Sequence, residues 1–185
     1  MALTAAQARK HYFFRVKFPE IVRERMEFAD YGVRKLATKL RGLGYDVEIV
    51  PGHDEDMRIK SPDYPDVVLR VEVKMSRPIQ VKPTQKGFGW LLYKQGYSKR
   101  IDEDLVILGC ASKREGMITW LVVPLSELAA LNRITIPRDD LRLYSGQWAK
   151  FIERWDLIPL LFALKAQIVG GGGDSAITDN YADQW

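Results

Sequence analysis

Hydrophobic and polar positions alternate with a period of two in several short segments, a pattern typical of β-strands. Three such segments follow one another at residues 46–50, 56–60 and 67–75. Two longer apolar runs, residues 105–111 and 118–123, flank Gly116 and predict two more strands. The tetrapeptide at 133–136 predicts a further short strand. The chain therefore contains enough extended segments for one central β-sheet.

Other segments have helical spacing. Pro19 suits the first position of a long helix, whose apolar residues keep a period near 3.6 until Gly42 and Gly44. These apolar positions are Ile21, Val22, Met26, Ala29, Val33, Leu36, Ala37 and Leu40. A capping box at residues 4–7 predicts a short helix before it, ending near Phe14.

Three more helical segments are predicted after the third strand. Pro83 introduces a helix over residues 84–95, which Gly96 ends. Pro124 starts a short helix, and residues 145–164 form a tryptophan-rich helical region interrupted at Pro159. Together the elements predict an α/β fold, with a mixed central β-sheet flanked by helices and a C-terminal helical region.

The domain organisation follows from length and composition. The 185 residues, 46% of them hydrophobic, suit a single domain at residues 1–169 with a helical N-terminal extension. Four glycines within residues 170–185 predict a flexible linker to an acidic tail. This tail, residues 174–185, is a docking segment for a protein partner, an intramolecular DNA mimic over the basic face, or an unstructured terminus. No apolar run is long enough to span a membrane, and we expect a soluble cytoplasmic protein.

The charge distribution favours a polyanionic partner. The formal net charge is +4, but three of the 24 acidic residues lie in the tail. The first 173 residues thus carry 28 basic and 21 acidic side chains, a net charge of +7. A basic body of this kind suits DNA. The single cysteine, Cys110, lies inside an apolar run and is interpreted as a buried core residue.

Two carboxylates are predicted to meet across the hairpin formed by residues 56–60 and 67–75. If the chain turns about Tyr64, residues whose numbers sum to 128 lie opposite each other, so Asp56 faces Glu72. Opposed residues have Cβ atoms about 4.5 to 5.5 Å apart, which allows two carboxylates to share one divalent cation. Lys74 lies on the same strand face as Glu72. This arrangement is typical of a metal-dependent phosphodiesterase.

Two further features bear on this register: an alternative second carboxylate and a pair of opposed arginines. Asp66 follows Pro65, but six residues of strand place it about 20 Å from Glu72, so Asp63 and Asp66 are interpreted as turn residues. Arg58 opposes Arg70, which is unfavourable unless a phosphate or a carboxylate lies between them.

These segments together resemble the PD-(D/E)XK nuclease superfamily over residues 20–123. The resemblance rests on a helix, a hairpin carrying Asp56 and then Glu72-x-Lys74, and a predicted helix opened near Gln85. Residues 82–96 also resemble a helix of the VRR-NUC branch, whereas no proline precedes Asp56 as the family pattern requires. A restriction-endonuclease-like core is the fold that the resemblance implies.

The resemblance also implies functions for individual residues. Asp56, Glu72 and the carbonyl of Val73 would bind Mg²⁺ or Mn²⁺, and Lys74 would orient or activate the attacking water. Gln85 and an acidic residue on the first long helix would support the site. We choose Glu27 over Glu24, Glu20 and Asp30 for the latter. A metal-dependent DNA endonuclease, acting as a homodimer or higher assembly, is the expected function. The alternative is a nucleic-acid-binding or regulatory module without catalysis on the same fold.

Several residues keep two interpretations. Lys82, Lys86, Lys94, Lys99 and Arg100 are either phosphate contacts or solvated helix charges. His53, Asp54 and Glu55 are loop residues in the first interpretation and ligands of phosphate or a second ion in the other. Trp90, Trp120, Trp148 and Trp155 are expected in the core rather than on a base-stacking surface.

Overall fold

The computed structural model describes residues 19–50, 55–92, 103–112, 117–128 and 131–170. The first helix, α1, spans Pro19–Gly42. It precedes three antiparallel strands, β1 (Asp46–Ile49), β2 (Met57–Ser61) and β3 (Tyr64–Ser76). Together with β6 (Leu105–Ala111) and β7 (Ile118–Pro124) they form a five-stranded sheet in the order β1-β2-β3-β6-β7.

The five-stranded sheet is mixed because β3 pairs with β6 in parallel. The remaining strands, β4 (Ile79–Lys82), β5 (Gln85–Leu91) and β8 (Arg133–Ile136), form a separate antiparallel sheet in the order β4-β5-β8. The second long helix, α2, spans Leu157–Gly170 and contacts β3 and β7. Short 3₁₀ helices occur at Leu125–Leu128, Leu141–Leu143 and Ala149–Phe151. The mixed sheet with its helices confirms the predicted α/β fold.

Helix α1 packs against β3 where both present small or flexible residues. A Cβ atom placed on Gly32 would lie 2.4 Å from Sδ of Met75, so the absence of a side chain allows the close approach. The buried residues of α1 are Gly32, Leu36, Ala37 and Leu40. The predicted apolar face is therefore buried only in its C-terminal half, and Ile21 and Met26 are exposed.

The hairpin register matches the prediction. Met57 pairs with Val71, Arg58 with Arg70 and Ile59 with Leu69. Each pair of residue numbers sums to 128. The turn itself is tighter than expected, because Ser61 pairs with Tyr64 across a bulge and β3 begins at Tyr64. Asp63 lies in the turn, but Asp66 lies within β3, so its assignment to the turn was wrong.

The predicted helix over residues 84–95 was wrong. Residues 85–91 form β5, which pairs with β4 and β8. Buried Phe88 and Trp90 alternate with Gly87 and Gly89, so the apolar side chains have the period of a strand. No helix therefore follows the Glu72 strand within residues 79–92.

The predicted interruption of the last helix at Pro159 was also wrong. Pro159 lies in the first turn of α2, where its missing N–H removes no intrahelical hydrogen bond. The aromatic ring of Phe162 in α2 stacks on Tyr45 and Tyr64, which fixes the helix over the turn of the β2-β3 hairpin. Among the described residues, no helix has both the length and the apolar composition to cross a membrane.

Several core predictions are confirmed. Cys110 is buried, and burial raises the pKa of its thiol well above the ordinary value. Trp90, Trp120 and Trp148 are buried, and Trp155 packs against the same core. The N-terminal capping box and the acidic tail, by contrast, lie outside the described residues.

Candidate metal-binding carboxylate site

Asp56 lies directly before β2 and is attached to β3 on both sides of Glu72. The Asp56 backbone N–H donates to the carbonyl of Val71 at 3.2 Å, and its Oδ2 accepts from the N–H of Val73 at 2.7 Å. Because β2 begins only at Met57, the Asp56 side chain accepts the hydrogen bond of the Val73 N–H in place of a backbone carbonyl of a longer β2. The predicted juxtaposition of Asp56 and Glu72 follows from these two bonds.

Lys74 and Glu72 project from the same face of β3 and contact each other directly. The Lys74 Nζ donates to Glu72 Oε1. Both groups are largely withdrawn from solvent, with 15% of the Lys74 side chain and 9% of the Glu72 side chain exposed. The ion pair therefore lies in a medium of lower polarity than water, where charges interact strongly.

Glu72 has a strongly perturbed acidity. Its pKa is raised from 4.5 to about 7, chiefly by burial; the Lys74 ammonium opposes the increase, and the neighbouring charges of Asp56 and Glu103 contribute to it. A carboxylate with a pKa near neutrality in a largely buried position is more typical of a functional site than of a solvated strand face. The Asp56 charge acts on Glu72, so the two carboxylates are close in space as well as in register.

The backbone of Val73 is available on the same side as Asp56. The N–H and C=O of one strand residue point toward the same neighbouring strand. Since the Val73 N–H donates to Asp56, its carbonyl is directed toward that edge as well. The carbonyl of Val73 thus joins the two carboxylates as a third oxygen donor in one region, which suits Mg²⁺ or Mn²⁺ by donor type.

Glu103 is a carboxylate that the sequence analysis missed. It is fully buried and lies close enough to Glu72 to raise its pKa. Its proximity arises from the parallel pairing of β3 with β6, in which Glu72 lies beside Val106. Among the described residues, no group of three or more His, Cys, Asp and Glu side chains is arranged to hold a metal ion.

Glu27 is not brought to the Asp56 and Glu72 pair. Helix α1 packs on the β3 face that carries Met75, whereas Glu72 and Lys74 project from the other face. Glu27 is exposed and forms an ion pair with Arg23 at 3.8 Å. It lies in a cleft of about 700 Å³ at the C-terminal end of β3, together with Glu24, Arg77 and Lys86.

Gln85 is also separate from the carboxylate pair. It begins β5 rather than a helix, and its side-chain amide donates to the carbonyl of Pro137. This bond ties β5 to the segment after β8. Of the predicted phosphate contacts, Lys82 and Lys86 are exposed on β4 and β5; Lys94, Lys99 and Arg100 lie outside the described residues.

The opposed arginines have separate carboxylate partners. Arg58 forms an ion pair with Glu55 and lies 4.0 Å from Glu48, and Arg70 lies 3.8 Å from Asp104. These carboxylates offset the repulsion that the register predicts. Glu55 is buried and accepts a hydrogen bond from Arg58. It is therefore not a solvent-exposed loop charge. His53 and Asp54 are outside the described residues.

Asp56 can be tested through its two functions. Asp56→Ala leaves the buried N–H of Val73 without its acceptor, which costs about 1 to 3 kcal/mol. Asp56→Asn retains an oxygen acceptor and removes the charge. We therefore expect urea unfolding to show a much larger loss for the alanine variant, while both variants lose any metal-dependent cleavage. Equal unfolding midpoints for the two variants would show that the Val73 bond does not hold Asp56 in place.

Comparison with solved structures shows what this arrangement is similar to. The bacterial homing endonuclease I-Ssp6803I superposes with a TM-score of 0.56 at 18% sequence identity, covering 77% of this chain and 97% of the other. Neither a protein-family model nor a curated protein sequence matches the chain. The likeness extends over most of both chains. The chain therefore has the mixed α/β fold that this homing endonuclease also has.

Proposed function

We propose that this protein is a metal-dependent endonuclease that hydrolyses phosphodiester bonds in DNA. The observation that carries the proposal is the cluster of Asp56, Glu72 and Lys74 beside β2 and on β3, in which Glu72 is buried and the other two are partly buried. The similarity of the fold to a bacterial homing endonuclease supports DNA as the substrate. The succession of α1 and three antiparallel strands, together with the spacing Glu72-x-Lys74, supports a relationship to the PD-(D/E)XK superfamily.

The donor set fits a hard divalent cation. Asp56 and Glu72 supply carboxylate oxygens, and the Val73 carbonyl supplies a neutral oxygen, all of which Mg²⁺ and Mn²⁺ accept. When bound, a cation would supply positive charge to the phosphate and make a water easier to deprotonate. With both carboxylates as its ligands, Glu72 would be held in its ionised form despite the neighbouring charge of Asp56.

The protein groups have separate tasks in this proposal. The backbone N–H of Val73 orients Asp56 by donating to its Oδ2. Lys74 places an ammonium beside the reacting phosphate, where it stabilises the charge that develops during hydrolysis. The limited solvent exposure of both Glu72 and Lys74 strengthens these electrostatic interactions. Cleavage of both strands by one small site favours a homodimer or higher assembly.

A DNA-binding module without catalysis is the second candidate. It is favoured by the direct contact between Lys74 and Glu72, since the two charges satisfy each other within the protein. In this second candidate the cluster stabilises the fold, and metal ions change neither stability nor DNA integrity. Metal dependence therefore distinguishes the two functions.

The proposed activity is tested with purified protein on five DNA forms: linear duplex, supercoiled plasmid, single strand, flap and four-way junction. We expect cleavage of at least one form with Mg²⁺ on the order of 1 to 10 mM and none with EDTA. Mn²⁺ should raise the melting temperature at pH 8, because an ion that binds only the folded state stabilises it. Glu72→Gln protein, purified in parallel, controls for contaminating nucleases. The proposal would be refuted if all five DNA forms stayed intact and the protein melted at the same temperature with Mn²⁺ as with EDTA.

A further inference from the structure

The sheet formed by β4, β5 and β8 carries an unusual concentration of positive charge. Residues 79–91 and 133–138 contain Lys82, Lys86, Arg133 and Arg138 and no Asp or Glu. These 19 residues thus carry four positive charges, which equals the formal net charge of the whole 185-residue chain. The rest of the protein contains 24 basic and 24 acidic residues, so its formal net charge is zero. The second sheet is therefore the principal source of uncompensated charge.

The four cations are also not neutralised by contacts. Within the part of the chain that the structure describes, none of them forms an ion pair with a carboxylate. Elsewhere such pairs are common, as with Arg77 and Glu24 or Arg154 and Asp156. Cations without carboxylate partners retain their full attraction for an external anion.

The outward face of the second sheet is accessible. Its inward face carries buried Phe88, Trp90, Ile134 and Ile136. On the other face, Leu91 pairs with Arg133, and Gly89 pairs with Thr135. Leu91 is 65% exposed. The Arg133 guanidinium extends across Gly89, with Nη2 only 3.3 Å from the position that a Cβ would occupy. Arg133 therefore lies over the outer surface of the sheet.

This sheet lies next to the carboxylate site. The N–H of Gly89 donates to Oγ of Ser76 at 3.3 Å. Ser76 is two residues beyond Lys74 on β3 and on the same strand face, about 7 Å further along the strand. One helical turn of duplex DNA is about 34 Å long. A duplex with one phosphate at Lys74 is therefore long enough to reach the neighbouring sheet.

We propose that the outward face of β4-β5-β8 docks in the major groove of duplex DNA, with Arg133 contacting a base edge and Lys82 contacting the phosphates. This inference rests on the proposed endonuclease function and adds the element that recognises the substrate. The major groove is about 12 Å wide and admits a two-stranded β-ribbon, here β5 and β8, with β4 toward the DNA backbone. Lys82 lies at the tip of the β4-β5 hairpin, where it can reach the DNA backbone. Arginine pairs with guanine through two parallel hydrogen bonds.

Binding is measured in EDTA with a duplex library of randomised 30-base-pair sequence, single-stranded DNA and duplex RNA. The double variant Lys82→Gln/Arg133→Gln is compared with Arg142→Gln/Arg154→Gln, which removes the same charge from exposed arginines paired with Asp140 and Asp156. We expect the first variant to bind duplex DNA about 10- to 100-fold more weakly, with a salt slope about two units shallower. The control should change affinity less than about threefold.

A charge-conserving variant separates base contact from phosphate contact. Arg133→Lys keeps the charge and loses the planar fork that guanine requires. We expect an unchanged salt slope, together with a relaxed preference at one base position among the duplexes that the protein selects from the library. An unchanged preference would overturn the assignment of a base contact to Arg133.

The remaining outcomes keep the two proposals distinct. Equal weakening by both double variants would mean that net charge alone attracts DNA, and the docking proposal would fall. If the Lys82→Gln/Arg133→Gln variant binds and cleaves DNA as well as the wild type, the docking proposal is overturned and the nuclease proposal stands. A preference for single strands or duplex RNA that depends on the sheet would exclude major-groove docking. Absence of both binding and cleavage in the wild type would defeat the nuclease proposal itself. Matching urea midpoints establish that each variant is folded.

Discussion

Replacing Glu72 by glutamine should stabilise the metal-free protein by about 3 kcal/mol at pH 8 and abolish its metal-dependent cleavage. The expected stability gain follows from the pKa of about 7 that burial gives this carboxyl group, compared with 4.5 in exposed surroundings. One pKa unit corresponds to about 1.4 kcal/mol. Glutamine resembles the protonated carboxyl group and avoids the cost of burying its ionised form.

The sign of this effect depends on pH in a defined way. The folded-state pKa of Glu72 is raised above its unfolded value, so the unfolded chain releases this proton first as the pH rises. The stability that this group contributes is complete below pH 4.5 and is lost as the pH rises through about 7. The wild-type protein should therefore lose stability over this interval. The Glu72→Gln variant should lack that loss, so the two proteins should be almost equally stable at pH 4.

Urea unfolding at pH 4 and pH 8 measures the difference between the variant and the wild type. Glu48→Gln provides the matched control, because the side chain of Glu48 is 64% exposed and lies 4.0 Å from Arg58 at the surface. It should change stability by less than about 1 kcal/mol at either pH. A gain for Glu72→Gln of the same size at both pH values would show that shape rather than ionisation causes it. A loss at pH 8 would contradict the raised pKa.

The register of the β2-β3 hairpin was predictable because apolar residues alone occupied one face of it. Met57, Ile59, Leu69 and Val71 share a face and are buried, and a shift of one residue would expose all of them. The juxtaposition of Asp56 with Glu72 follows directly from that register. Local alternation was thus sufficient to predict the β2-β3 hairpin and, with it, the central pair of the candidate site.

The helix predicted over residues 84–95 failed because glycines and a proline were interpreted as helix boundaries. The stretch around Gly87 and Gly89 has its large apolar residues, Phe88 and Trp90, two positions apart. That spacing is a strand pattern, and β8 completes the pairing from 42 to 48 positions further along the chain. Gln85 lost its predicted place at the start of a helix for the same reason.

The acidic residue near Glu72 could not be identified from local spacing. Glu27 has the expected position on a helix, but α1 covers the opposite face of β3. Glu103 lies 31 positions after Glu72 in the sequence and reaches its neighbourhood because β3 and β6 pair in parallel. Nothing in the apolar run at 105–111 specifies its partner strand. The proximity of Glu103 to Glu72 therefore depends on the pairing of β3 with β6, which the local hydrophobic periodicity does not predict.

Replacing Lys74 by methionine should reduce cleavage about 100- to 1000-fold and leave duplex affinity unchanged. The loss corresponds to removing one positioned charge from the region where the transition state develops charge. Methionine retains most of the apolar stem, so packing on β3 is preserved. Lys165→Met is the control, because Lys165 is also partly buried and donates to a carboxylate, that of Asp104, at 2.7 Å. This control should retain cleavage.

The same substitution also separates a catalytic Lys74 from a merely structural one. The Lys74 ammonium lowers the pKa of Glu72, so Lys74→Met should raise that pKa further and destabilise the protein at pH 8. Adding Glu72→Gln to Lys74→Met should restore stability, since the carboxylate that needed the ammonium is gone, but it should not restore cleavage. Restored cleavage in the double variant would mean that Lys74 serves only to neutralise Glu72. Lys74→Met protein that cuts DNA at the wild-type rate would remove Lys74 from the catalytic site and leave a structural ion pair.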